Sequence, residues 1–277
     1  MKIRLFFVTL CLVLLQGCSP TRIAYDNADL LLRWQANYYF DFQGVQTEEL
    51  DRSFAAFLAW HRAKALPQYA RLGDEAAARV QRGVGRADLE WSYDAVRAQI
   101  REALGAAAAE AAGLLDKLSA AQISHLEARL AEENRKFMKE WVQGTMEERH
   151  KRRVTRNLER LEEWYGTLSE AQAERVRRYS ARAPFSAELR LHDRRRMQAE
   201  FVAMLRAREA GRRLAAWAQD WEARREPAYV EASRATRAEY LDLLVDIDRT
   251  LSTDQREHAV RRLKRYSTLF DSLARRE

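Results

Sequence analysis

The chain has 277 residues, with 48 Lys and Arg against 41 Asp and Glu for a net charge of +7, and only 10 Gly and 4 Pro. Ala, Leu, Arg and Glu dominate and β-branched residues are few, so helix is favoured nearly throughout and a β-rich architecture is excluded. The two cysteines, Cys11 and Cys18, are too few and too close to the start to staple a fold.

Residues 1–17 have the parts of a secretory signal. Lys2 and Arg4 give the positive start, and Leu5 to Leu15 is an apolar run too short for a comfortable membrane span. Leu15-Gln16-Gly17-Cys18 follows, with an aliphatic residue at −3, a small residue at −1 and cysteine at the cut. This stretch resembles the lipobox of bacterial lipoproteins. The resemblance implies cleavage before Cys18, diacylglycerol on its thiol, and a stable anchor made of several acyl chains. Ser19 stands where an inner-membrane retention signal would place Asp, which favours an outer-membrane address facing the periplasm. The mature chain would then carry no free thiol, no disulfide and no Cys metal ligand, and its stability must come from packing. It would begin with a lipidated tether over residues 18–24, followed by one helical domain over residues 25–277.

Within that domain, Tyr25-Asp26-Asn27-Ala28-Asp29 offers cap residues, and Leu30, Leu31, Trp34, Tyr38 and Phe42 recur at helical spacing. The spacing predicts that they form a buried stripe. Gly44 breaks this helix and Thr47 caps the next, which carries Leu50, Phe54, Phe57 and Leu58. Pro67 predicts a kink. Gly83 and Gly85 mark a loop before a long helix from Asp88 through Trp91, Val96, Ile100 and Leu104. The alanine tract over residues 107–112, bracketed by Gly105 and Gly113, would let another helix approach closely. A helix from Ser119 runs through Ile123, Leu126, Leu130, Phe137 and Trp141 to Gly144. Thr145-Met146-Glu147-Glu148 reads as a capping box for the helix through Val154, Leu158, Leu161 and Trp164. A short helix reaches Pro184, a basic one begins near Ser186, Gly211 interrupts, and Pro227 starts another through Tyr240, Leu244 and Ile247. A last helix carries Val260, Leu263, Tyr266, Leu269 and Phe270. No segment has strand period and no long Pro/Gly/Ser linker appears. The expected fold is therefore all-α, an elongated multi-helix bundle built from helical hairpins.

One pattern recurs. Leu118-Ser119-Ala120-Ala121-Gln122 returns as Leu168-Ser169-Glu170-Ala171-Gln172 and as Leu251-Ser252-Thr253-Asp254-Gln255. Ser followed by Gln three residues later is a capping box in which two unpaired amide donors are satisfied reciprocally. Each Leu ends the apolar stripe of the incoming helix, so these are helix joints. The copies lie 50 and 83 residues apart, which makes them related hairpins rather than a strict repeat. The motif resembles that of the small periplasmic Spy-like stress proteins, much shorter helical holdase chaperones. More extensively, the chain resembles a family of uncharacterised proteobacterial lipoproteins known only as a domain of unknown function. The residues that carry this are Cys18, Tyr25-Asp26-Asn27-Ala28-Asp29, Trp60-His61-Arg62, Leu66-Pro67-Gln68-Tyr69, and Trp164-Tyr165-Gly166-Thr167 running into the second joint. That resemblance implies an exported helical lipoprotein and supplies no catalytic residues.

Residues that could carry chemistry are few. Of the five histidines, His61 between Trp60 and Arg62 stands out, with a packed structural role as its simplest reading. Glu147-x-x-His150 has the spacing of half a di-iron site but lacks a second copy. No G-x-S-x-G, phosphate loop or Walker sequence is present. No metal or cofactor is expected. Residues 145–213 hold 18 Lys and Arg against 11 Asp and Glu, and Arg194-Arg195-Arg196 with Trp60-His61-Arg62 are the candidate interaction residues. In an envelope lipoprotein such a basic region meets anionic lipid or an acidic protein rather than nucleic acid; its closely alternating signs read equally as a solvated helix surface with interleaved Glu and Arg. The sequence thus suggests a non-enzymatic envelope binding or scaffold protein, with a Spy-like holdase as the alternative.

Overall fold

A computed structural model describes residues 20–275. Among these the regular structure is helical: α1 (Pro20–Asp26), α2 (Ala28–Phe40), α3 (Val45–Trp60), α4 (Leu66–Arg82), α5 (Arg86–Leu115), α6 (Ala120–Phe137), α7 (Met146–Tyr165), α8 (Glu170–Arg182), α9 (Ala187–Arg206), α10 (Ala210–Gln219), α11 (Pro227–Asp248) and α12 (Thr253–Ala274). Two π-helical turns, His61–Ala65 and Met138–Val142, sit at the ends of α3 and α6.

Most boundaries follow local chemistry, and several differ from the sequence expectation by a turn. Residues 20–24, in the segment read as a tether, are helical. Gly44 is the N-cap of α3 and Thr47 lies inside it, because the backbone there needs a positive φ of 56°. Arg86 starts α5, and Asp88 is its N3 residue, reaching back to the Gly85 amide at 3.1 Å. Pro67 does not break the chain; the preceding π turn absorbs its missing donor, and Pro67 falls in the first turn of α4. Between α9 and α10 the break is at Arg208, with φ 54°, and Gly211 is already helical.

Each of the three Leu-Ser-x-x-Gln joints carries a complete capping box. The Ser hydroxyls of Ser119, Ser169 and Ser252 accept from the amides of Gln122, Gln172 and Gln255 at 3.2, 3.3 and 3.2 Å. The Gln carboxamides accept from the Ser amides at 3.0, 2.9 and 3.0 Å. Thr145 and Glu148 make the same box at α7.

The joints also meet in pairs. Gln172 and Gln255 exchange side-chain hydrogen bonds at 3.0 and 2.9 Å, and each donates to a carbonyl of the other joint, Thr250 and Thr167. The first joint has a partner that the repeated motif does not reveal. Gln122 exchanges amide bonds with Gln46 at 2.8 and 3.3 Å and donates to the Asp41 carbonyl at 3.1 Å. Residues 41–46 are thus a degenerate fourth joint, with Phe42 in the place of Leu and Gln43 in the place of Ser.

Two crossed pairs of hairpins result. In the first, α2–α3 meets α5–α6, with α2 against α6 and α3 against α5; in the second, α7–α8 meets α11–α12, with α7 against α12 and α8 against α11. Equivalent positions do equivalent things. Tyr38 and Trp164 both lie four residues before the joint's apolar residue, and Arg129 and Arg262 both lie ten after its Ser. The Arg129 guanidinium stands 4.7 Å from the Tyr38 ring centre, and that of Arg262 stands 5.0 Å from Trp164.

Each pair has its own core. The first gathers Phe42, Leu50, Leu114, Leu115, Leu118, Ile123 and Leu126 with Val202, Met204 and Leu205 of α9 and Leu214 of α10. The second gathers Leu161, Val176, Tyr179, Leu243 and Ile247. The small side chains of α5 do admit a close neighbour: Gly105, Ala108 and Ala112 are buried where α10 lies along them. An added Cβ at Gly105 would collide with the Gln219 side chain. A second close approach joins α4 to α12. Ala70 and Ala77 are buried there, Ser267 donates to the Ala70 carbonyl at 2.8 Å, and a Cβ on Gly73 would lie 3.2 Å from that of Ser267.

Three aspartates hold helix starts from a distance. Asp116 accepts from the Ala210 and Gly211 amides of α10 at 2.7 and 2.9 Å. Asp193, fully buried, accepts from the Glu226 amide at the head of α11 and from Arg196 and Arg225. Asp248 accepts from the Val84 amide ahead of α5 and pairs with Arg256.

The predicted core stripe of α2 is not buried. Leu30, Leu31 and Trp34 are 55, 51 and 67 % exposed, and only Phe42 of that series is fully inside. Val96, Ile100 and Leu104 of α5 are likewise exposed, because α10 and α3 pack on the alanine side of that helix. Among the described residues no helix is long and apolar enough to cross a membrane.

Candidate functional site

The two hairpin pairs join through the π turn after α6, Gly144 and the start of α7, and a cleft of about 330 Å³ opens at this seam. Its wall is one face of α7. Arg149, Arg152, Arg153, Arg156 and Arg160 recur at helical spacing, so their side chains leave the helix on adjoining sides. Arg190 of α9 stands opposite. The floor is aromatic, with Phe137 at the end of α6, Trp141 in the π turn, Tyr179 of α8 and Phe185 in the α8–α9 link. The π turn matters because its extra residue resets the phase of the helix that presents Trp141.

Arginines lie on these rings. Arg153 stands 3.5 Å and Arg149 4.7 Å from the Phe185 ring centre, Arg156 3.7 Å from Trp141, and Arg190 5.3 Å from Phe137. Stacking holds each guanidinium plane in place while leaving its edge N–H groups available.

The arginines divide by what they touch. Arg153 is structural: it donates to the Ser180, Ala183 and Pro184 carbonyls at the C-terminal end of α8. Arg149 is buried and pairs with Glu188 at 2.7 Å through one nitrogen, while its Nε and second terminal nitrogen have no hydrogen-bond partner among the described residues. Arg152 donates to the Gln143 carbonyl at 2.5 Å, and its Nε is similarly unpartnered. Arg156 has Glu140 at 3.6 Å. Burial lowers the Arg153 guanidinium from its usual pKa; Tyr179 opposes this, and the neighbouring charges of Arg149 and Arg156 add to it. Burial lowers Arg156 too, opposed by Glu140 and assisted by Arg152 and Arg160. The lining residues include six arginines and no carboxylate, so the cleft presents one sign of charge.

The sequence-derived candidates fall elsewhere. Cys18 lies outside the described residues. The joint residues Leu118, Ser119, Gln122, Leu168, Ser169, Gln172, Leu251, Ser252 and Gln255 are occupied with capping and pairing. Trp60, His61 and Arg62 hold α1 in place: the Tyr25 hydroxyl and His61 Nδ1 share a hydrogen bond of 3.0 Å, Trp60 stacks on Phe57, and Arg62 lies 5.9 Å from the Tyr25 ring. Burial lowers the His61 pKa, favouring the neutral ring. Arg194 donates to Asn134 at 2.8 Å and Arg196 to the network of Asp193, Glu200 and Glu226, while Arg195 is exposed. The structure therefore does not bring Arg194, Arg195 and Arg196 together at one site. The cleft arginines of α7 did carry a sequence signal, which is their helical spacing.

The chain belongs to a family of unknown function (DUF6279), whose family model matches residues 38–229. That span contains the last three residues of α2, the helices from α3 to α10 and the whole lining of the cleft except Thr236. No curated protein and no solved structure matches the chain.

Proposed function

We propose that the protein is a lipid-anchored, non-enzymatic binding protein of the cell envelope, held in the outer membrane through Cys18, facing the periplasm, and engaging an anionic partner in the arginine-lined cleft. The observation that carries the binding reading is the single sign of the cleft's charge, with two buried Arg149 nitrogens unpartnered. Buried donors of this kind favour a site completed by an acceptor from outside the chain. The lining offers no paired acid and base or activated nucleophile to support a reaction. The address rests on Leu15-Gln16-Gly17-Cys18.

Sulfate tests the cleft. Thermal unfolding of the full-length protein in sulfate and in chloride at matched ionic strength should show a rise in Tm with sulfate. That rise should exceed the general salting effect seen in Arg149→Met and Arg190→Ala. Equal shifts in all three proteins would overturn the anion-binding reading. For the anchor, fatty-acid labelling and membrane recovery should both be lost in Cys18→Ala.

A Spy-like holdase is the second reading, favoured by the exposed stripe of Tyr93, Val96, Ile100 and Leu104 with Arg97 and Arg101 beside it. Monomeric proteins seldom leave such a stripe uncovered. Suppression of client aggregation that disappears in Val96→Ser/Ile100→Ser is expected on this reading, and no suppression at excess protein removes it.

A further inference from the structure

The cleft also constrains which anion it takes. Six guanidiniums line it, and the carboxylates in contact with them are Glu188 on Arg149 and Glu140 on Arg156. Both carboxylates stand mostly in solvent, 51 and 60 % exposed, so each neutralises its partner only in part. The remaining positive charge exceeds what one carboxylate ligand, with a single charge, would balance. The α7 wall also holds buried donors without a hydrogen-bond partner among the described residues: Nε and a terminal nitrogen of Arg149 and Nε of Arg152. Nε and a terminal nitrogen of one guanidinium form the fork that pairs two oxygens of one centre. Arg190 faces them from α9, whose first turn adds the positive end of a helix dipole. A phosphoryl group supplies three terminal oxygens and, as a monoester, about two negative charges. A volume of about 330 Å³ lies at the small end of ligand sites; it holds a head group but not a folded peptide segment.

We infer that this cleft is a phosphoryl-binding site, with the Arg149 fork, Arg152 Nε and Arg190 as the groups that hold the phosphoryl oxygens. The inference rests on the anion-binding reading above and narrows it. Arg153 and Arg156, fixed on Phe185 and Trp141, position the wall rather than bind. The same chemistry occurs in free inorganic phosphate and in a phosphomonoester lipid head group.

The test uses the full-length protein in detergent and measures binding by calorimetry and Tm. Inorganic phosphate is compared with malonate at matched ionic strength and pH. Phosphate should bind at least ten-fold more tightly than malonate. Arg190→Ala and Arg152→Gln should each weaken phosphate about ten-fold, the effect of losing one charge-assisted contact. Arg149→Met should remove the binding; if it lowers the helical content, the two exposed-side variants carry the test. Mixed micelles of phosphatidylcholine with and without phosphatidic acid separate the sources, since the lipid anchor is common to both. A Tm rise with phosphatidic acid that phosphate competes away assigns a lipid head group; a response to phosphate alone assigns the free ion. If malonate binds as tightly as phosphate, the phosphoryl assignment is wrong while the anion reading stands. If sulfate, phosphate and malonate all leave the protein unchanged, both fall.

Discussion

Gln172 is almost completely buried, yet its carboxamide has every strong partner it needs. It accepts from the Ser169 amide and from Gln255, and it donates to Gln255 and to the Thr250 carbonyl. A buried amide left half-satisfied would cost about 1–3 kcal/mol, whereas the satisfied pair contributes about 1 kcal/mol per bond. Gln172→Ala and Gln255→Ala should therefore each destabilise, and the double variant should cost less than the sum by about 1 kcal/mol. Strict additivity in urea melts would mean that the two joints do not depend on each other. Asp193 makes a pH prediction. Burial acts to raise its pKa, but the Glu226 amide, Arg225 and Arg196 outweigh burial and hold it below the usual Asp value. A depressed folded pKa stabilises the fold above the unfolded value, near 4, and that contribution is lost as pH falls through the folded value. The stability gap between wild type and Asp193→Asn should thus be widest near neutral pH and narrow below about pH 4. A gap independent of pH would contradict the assigned partners.

At the scale of elements, the capping boxes were legible because Ser-x-x-Gln acts within one turn of helix, and the local rule needs no knowledge of the rest of the chain. Their pairing was not, since Gln172 and Gln255 are 83 residues apart and nothing local records it. The fourth joint was hidden further, because Phe42 and Gln43 replace the Leu and Ser that define the motif. Periodicity misled at Leu30, Leu31 and Trp34, which are exposed rather than buried. Val96, Ile100 and Leu104 form a valid helical stripe, but a stripe does not say which face the tertiary fold covers. On α5 the covered face is the one made of glycine and alanine, where α10 can approach. Ala108→Leu should overpack that contact and cost about 1–3 kcal/mol, whereas Ile100→Ala on the exposed face should cost much less. Equal losses in denaturant midpoint would place α10 on the wrong side of α5. The cleft was half legible: the charge excess over residues 145–213 pointed to the region, but three consecutive arginines point in different directions around a helix. The spaced arginines of α7 do converge, and only the fold shows Trp141 and Phe185 beneath them.

Taken whole, the molecule repeats one device, a crossed pair of hairpins locked by two glutamines, with separate cores on either side of a seam. Leu126 and Leu161 are the buried centres of those cores, 2 and 1 % exposed. Leu161→Ala should cost about 2–5 kcal/mol, and hydrogen exchange should show its effect first in α7, α8 and α11. Leu126→Ala should instead loosen α5, α6 and α10. Uniform loss of protection in both variants would show that the seam transmits stability and that the two halves unfold as one.

The clasp between α4 and α12 sets the order in which this molecule can be finished. Ser267 and Ala70, bonded at the centre of that contact, are 197 residues apart. A chain made from its N-terminus therefore carries the small-residue face of α4 open until α12 exists, and such distant closures come late in folding. Any copy that ends before Ser267 keeps that seam open. The 22-residue α12 is thus the cover of the small-residue strip on α4, and a copy cut before Ser267 would leave that strip facing solvent.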